Sequence, residues 1–184
     1  MKNEQLKDAQ QFYAGQSQVL SLINQSGNFM DAFPLVEHAV LRLFNAERVT
    51  VYQRNLESTD IFSRFKSGND TTEIRVPVST TSIAGYVALS RKNLIINDVS
   101  DQDELQGIHP NLQYNDSFTA ETAFTSRAML VVPIVYRQVL LGVLQLINRV
   151  GGGCFDPQDL AKAEIFSQHL GQKLRADFGC TDAP

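Results

Sequence analysis

Ala128 to Phe166 reads AMLVVPIVYRQVLLGVLQLINRVGGGCFDPQDLAKAEIF, and it decides the fold. Val131–Val135 and Leu140–Ile147 are short runs rich in β-branched residues. They are separated by the polar pair Arg137-Gln138, which predicts an antiparallel hairpin. Gly151-Gly152-Gly153 then breaks the chain. Asp156 stands as an N-cap with Pro157 at the first helical position, where a missing amide proton costs nothing. Asp159 falls at the third helical position, completing a capping box, and Phe155 and Leu160 have the spacing of a hydrophobic staple. Strand, turn, strand and helix start thus follow one another within forty residues.

Outward from this segment the chain alternates helix, sheet and helix. Asn3 to Asn24 places Leu6, Ala9, Tyr13, Leu20 and Ile23 on a narrow stripe, an amphipathic helix that Gly27 ends. A second helix over 31–44 turns Phe33, Val36, Val40, Leu43 and Phe44 toward a core. Residues 48–54 alternate, with Val49 and Val51 on one face and Thr50 and Tyr52 on the other. Strands at 60–66 and 73–78, divided by the turn Ser67-Gly68-Asn69-Asp70, and a short strand at 94–97 bring the expected sheet to six. Residues 101–126 are polar and weakly periodic, too long for a plain connection, and read as a ligand lid holding a short helix. Pro157 to about Phe178 sets Leu160, Ala163, Phe166, Leu170 and Leu174 along one side of a long helix.

Composition excludes several classes. The 184 residues suit one domain, and 43% hydrophobic with 20% charged residues is ordinary for a globular one. A net charge of −4 with no Lys/Arg cluster argues against a nucleic-acid surface. No apolar run is long enough for a membrane span or a signal peptide, so a cytoplasmic protein is expected. His38, His109 and His169 are scattered without metal-ligand spacing. Cys154 and Cys180 are expected to stay free thiols, and carboxylates such as Asp101 and Asp103 sit in a polar loop. No catalytic set emerges, and the expectation is a non-enzyme that needs no metal or cofactor.

Three constellations resemble the GAF family of small-molecule sensor domains, over about Phe29 to Leu174. The first resembles the signature of the cyclic-nucleotide phosphodiesterase and adenylyl cyclase members: Asn-Lys, a gap, Phe, three residues, Asp-Glu. Here it is Asn148-Arg149, Phe155, Asp159 and Leu160, with Arg for Lys and Leu for Glu. Capping and stapling account for Phe155, Asp159 and Leu160 without any ligand; an Arg149–Asp159 ion pair would shape the site. The second, Ser82-Ile83-Ala84-Gly85-Tyr86-Val87-Ala88, looks like the family's helix start facing a cyclic phosphate, with Ile83 packing on the base. Free amides and a positive dipole end suit a phosphate, although Ser82 is equally a plain N-cap. The third, Thr122 to Leu130, resembles the segment that lends hydroxyls to the ligand, here Thr122 and Ser126. Thr50 and Phe65 occupy places where the family offers a hydroxyl and an aromatic contact, although Phe65 fits a core position equally well. Gln145 stands where a Glu can read the base, and Lys66 where an acid is frequent. The first change keeps a donor and an acceptor, and the second favours a more anionic ligand or points to solvent.

The resemblance implies an α+β (α/β) fold, GAF/PAS-like: a central antiparallel six-stranded sheet, terminal helices on one face, pocket helices and lid on the other. It divides the chain into an amphipathic helix (1–28), a sensor domain (29–175) and a tail (176–184). The implied function is a regulatory domain binding a cyclic nucleotide, cyclic AMP or cyclic GMP. Closure of the lid would be relayed through the terminal helices, whose outer stripes imply a homodimer, to an effector that this sequence does not contain. The competing reading is a ligand-free dimerisation or protein-interaction module, which bulky apolar residues at Thr50, Ser82, Thr122 and Ser126 would have favoured.

Overall fold

In the computed structural model, residues 2–25, 29–68, 73–115 and 124–175 are described. The elements run α1 (Lys2–Gln25), α2 (Phe29–Phe44), β1 (Ala46–Arg54), β2 (Asp60–Lys66), β3 (Arg75–Pro77), α3 (Ile83–Ser90), β4 (Leu94–Ile96), α4 (Gln102–Ile108), β5 (Met129–Tyr136), β6 (Val139–Arg149) and α5 (Pro157–Leu174). The strands form a single six-stranded sheet of order β3-β2-β1-β6-β5-β4, antiparallel throughout. The expected fold class is therefore the observed one. The boundaries shift by a few residues: β3 is shorter than 73–78, and β1 starts two residues before Arg48. Gly27, the turn residues Asn69-Asp70, Thr122, Cys180 and the tail 176–184 lie outside the described residues.

Strand alternation sorts the apolar side chains into two cores. Val49, Val51, Leu130, Val132, Leu144 and Leu146 face the layer built by α1, α2 and α5. Tyr52, Val131, Val143 and Ile147 face α3 and α4. The stripe of α5 is as the sequence predicts: Ala163, Phe166, Leu170 and Leu174 are fully enclosed. That of α1 is rotated, with Phe12, Gln16, Val19 and Ile23 buried while Leu6 and Tyr13 stand exposed. A polar Gln16 in the middle of the buried face hides that face from a reading based on apolar spacing.

The hairpin turn is Arg137-Gln138, both with positive φ (44° and 65°), the conformation that matches strand twist but favours Asn-Gly. Arg91 Nη1 donates to Gln138 O at 2.7 Å, tying the turn to the end of α3. Replacing the pair by Asn-Gly is expected to raise stability by about 1 kcal/mol, since left-handed backbone costs other residues about that much or more. Urea melts check this; an unchanged or lower midpoint would contradict it.

The start of α5 follows the sequence closely. Asp156 accepts from the amides of Gln158 (2.7 Å) and Asp159 (2.9 Å), and Asp159 Oδ2 accepts from Asp156 N at 3.0 Å. Phe155 is buried and Leu160 packs on the same core. Arg149 Nη1 donates to Asp159 Oδ2 at 2.7 Å, so β6 and α5 are clamped together across the glycine turn.

Candidate functional site

A cavity of about 100 Å³ opens between the β1–β6 face of the sheet and the N-terminus of α3. Register explains its floor. Thr50 pairs with Lys66 on one side and Gln145 on the other, and Gln145 pairs with Val131. One step along, Arg48 pairs with Ile147, and Ile147 with Met129. All but Val131 line the cavity.

Ser82 caps α3, its hydroxyl accepting from Gly85 N at 3.2 Å. Ser82, Ile83 and Ala84 form one side of the cavity. The glycine of that turn serves packing rather than ligand approach: a Cβ on Gly85 would lie 2.2 Å from Pro77 O. It lets α3 close on the strand behind it. Gln113, in an isolated parallel bridge with Ser82, forms the wall with Tyr114, Asn115, Phe124 and Ser126. The expected lid region thus supplies a wall at 113–115 and 124–126, and α4 precedes it.

Of the residues expected to touch a ligand, Thr50, Ser82, Ile83, Ala84, Ser126 and Gln145 meet at this cavity. Thr122 lies outside the described residues. Phe65 is a correction. Tyr52 pairs with Ser63 but Val51 pairs with Phe65, so Arg64 is an extra residue, a β-bulge. An extra residue inverts the alternation beyond it. Phe65 therefore turns to the α1/α2/α5 layer, and Lys66 takes the place on the cavity side.

The signature residues stand around the site rather than in it. Asn148 is buried, in the left-handed conformation (φ 53°). Its Oδ1 accepts from Arg127 N at 2.7 Å, and its Nδ2 donates to Thr125 O and Glu47 Oε2, both at 2.8 Å. It pins 125–127, which carries Ser126, to the central strands.

Ser126 Oγ is buried and has no hydrogen-bond partner among the described residues. A buried hydroxyl left so costs free energy that a ligand atom would recover. Sequence reasoning missed Tyr52, Tyr114 and Phe124 as cavity residues and did not pair Arg48 with Thr50. Alternation from Thr50 would have found Arg48 and Tyr52, since they share its face. Tyr114 and Phe124 lie in irregular chain with no period to read.

Burial, with Tyr114 adding to it, pushes the Tyr52 phenol well above its ordinary value. The neutral form is held in the folded state, so stability from this group is intact below about pH 10, where a free phenol ionises. It is lost as pH rises further and the unfolded chain releases the proton first, by up to about 1.4 kcal/mol per pH unit. Tyr52→Phe is expected to flatten that alkaline decline in denaturant melts; an unchanged slope would refute the assignment.

A curved antiparallel sheet with helices behind and a partly polar cavity in front defines a regulatory sensor domain. The chain belongs to the GAF domain family, whose model matches residues 31–174. A probable 3',5'-cyclic phosphodiesterase pde-5 of Caenorhabditis elegans is 25% identical over 144 residues, 72% of this chain and 18% of that protein. The cone cGMP-specific 3',5'-cyclic phosphodiesterase subunit alpha' of Mus musculus is 27% identical over 129 residues, 70% of this chain and 12% of its own length. The chain thus spans less than a fifth of these curated relatives. Among solved structures, the GAF domain of a phosphoenolpyruvate-protein phosphotransferase from Coxiella burnetii superposes with a TM-score of 0.73 at 15% identity, over 92% of this chain and 97% of that one. A free methionine-R-sulfoxide reductase from Neisseria meningitidis, in complex with its substrate, gives 0.71 at 16% identity, covering 92% of each chain. These two likenesses concern the fold alone. Cys154 is exposed on the surface and does not line the cavity. No described helix is long and apolar enough to cross a membrane.

Proposed function

We propose that this domain is a cyclic-nucleotide sensor, binding cyclic AMP or cyclic GMP in the cavity over the sheet. The observation that carries the reading is the convergence of Thr50, Ser82, Ser126 and Gln145 on one cavity, with Ser126 Oγ buried and unsatisfied among the described residues. A wall of small polar groups is what a sugar-phosphate needs, and a purely structural module would gain more from filling that space with apolar side chains. Gln145 offers a donor and an acceptor to a base edge. The matches to cyclic phosphodiesterases, one of them cGMP-specific, support the same ligand class.

Pockets for ligands of this size usually hold about 300 Å³ or more. The cavity here is smaller, so binding requires the wall residues at 113–115 and 124–126 to move outward. A ligand shifts such an equilibrium only by binding the two states unequally. The wall is tied to β6 by Asn148, and β6 is clamped to α5 by Arg149, a contiguous route from cavity to C-terminal helix. In this reading the terminal helices also form the dimer contact and pass the change to an effector, in the cytoplasm, with Asn148, Arg149, Phe155 and Asp159 as scaffold.

Calorimetry or thermal-shift titration with both nucleotides tests the proposal. At about 100 times the dissociation constant, binding contributes about 2.7 kcal/mol, or a rise of roughly 5–10 °C for a chain of this size. Ser126→Ala and Gln145→Ala are expected to reduce the rise. No stabilisation by either nucleotide would favour the ligand-free interaction module instead.

A further inference from the structure

The cavity carries two cations on its floor, and no carboxylate lines it among the described residues. Arg48 and Lys66 belong to adjacent strands and flank Thr50, one along the strand and the other directly across it. As diagonal neighbours their backbones stand roughly 7–8 Å apart, so both side chains can reach one anionic group. Both side chains are half-buried. The Arg48 guanidinium lies 3.7 Å from the centre of the Phe124 ring, and no ion pair joins it to another described residue. Gly68 is also close: an added Cβ there would lie 3.6 Å from Arg48 Cζ, and φ of +101° already calls for glycine.

We infer that Arg48, with Lys66 beside Thr50, is the seat for the ligand's anionic group, and that the Phe124 ring covers it when no ligand is bound. This rests on the cyclic-nucleotide reading and deepens it by placing the cyclic phosphate on the sheet floor rather than at the α3 helix start. The guanidinium fork offers paired N–H donors to two phosphate oxygens, and the Thr50 hydroxyl adds a third donor. An arriving phosphate competes with the aromatic face for the same cation, and a charged partner outbids a quadrupole once both are out of water. Departure of Phe124 enlarges the cavity on the side which that ring lines.

The test compares each cyclic nucleotide with its nucleoside, adenosine or guanosine, by calorimetry on wild type, Arg48→Gln, Lys66→Gln and Phe124→Ala. The expected result is that Arg48→Gln weakens the cyclic nucleotide by at least about tenfold while leaving the nucleoside within about twofold. Its salt dependence should fall, because one screened charge contact is gone. Lys66→Gln should show the same pattern more weakly, and serves alone where Arg48→Gln does not fold. Phe124→Ala is expected to tighten phosphate-bearing ligands by uncovering the guanidinium. Equal loss on nucleoside and nucleotide, or no loss on either, overturns the seat while leaving nucleotide binding intact. If wild type binds neither cyclic nucleotide, the functional reading fails on its own. The seat is then judged with inorganic pyrophosphate: a thermal upshift present in wild type and absent in Arg48→Gln sustains it, and no upshift overturns it.

Discussion

Phe166→Ala is expected to cost about 3–5 kcal/mol of folding stability, the range for deleting a buried aromatic ring whose surroundings cannot collapse. Phe166 is fully enclosed, and its ring meets that of Phe44 edge-on at 5.4 Å, with Phe44 meeting Phe12 in the same manner at 5.9 Å. The three rings belong to α5, α2 and α1, so this one chain of contacts joins the whole helical layer. Edge-to-face pairs add about 0.5–1.5 kcal/mol beyond burial. Domains of this kind have about 5–15 kcal/mol in total, so the variant should sit near the edge of folding. Phe166→Leu, closer in volume, should lose markedly less. As a control, Leu6→Ala removes an exposed side chain, 64% accessible, and should stay within about 0.5 kcal/mol. Chemical denaturation gives all three values. A loss below about 1 kcal/mol for Phe166→Ala would mean that the three-helix core is not packed as described.

The same contacts show where sequence reading succeeds and where it stops. The α5 stripe was legible because Leu160, Ala163, Phe166, Leu170 and Leu174 repeat at helical spacing with a capping box ahead of them, so local and tertiary signals agree. The α1 stripe was misplaced because burial of Gln16 is a tertiary fact, and a spacing rule that counts only apolar residues steps over it. Phe65 failed for a different reason. The family resemblance put it at the ligand, and one extra residue, Arg64, turns it to the other face of the sheet. Nothing in the local composition marks the bulge, because it is fixed by pairing with β1. Gln145 was reached through the family resemblance, while Thr50 was legible from strand phase and Ser82 from capping. Tyr114 and Phe124 were not, since they lie in irregular segments whose path is set by what they pack on.

Asn148→Ala is the second large expected loss, about 3–4 kcal/mol, and it should also loosen the site. The side chain satisfies Arg127 N and Thr125 O, and removal leaves both without that partner, at about 1–3 kcal/mol for the two part-buried bonds together. Alanine in the left-handed conformation adds about 1 kcal/mol or more. The two contributions separate experimentally. Asn148→Gly restores the backbone freedom but not the hydrogen bonds, so it should recover the strain and retain the rest of the loss. Asn148→Asp keeps the acceptor for Arg127 N and turns both donors into oxygen facing Thr125 O and the Glu47 carboxylate, so it should be no better than alanine. Hydrogen exchange at the Arg127 amide gives the local readout: protection should fall in the alanine and glycine variants by more than it falls on the neighbouring β6 amides, and should be better kept in Asn148→Asp, which retains the acceptor. Because the pinned segment carries Ser126, ligand-induced stabilisation should shrink in Asn148→Gly as well, where strain is absent and the fold is least disturbed. Retained protection at Arg127 in that variant would mean that the strand pairing, not this side chain, holds the cavity wall.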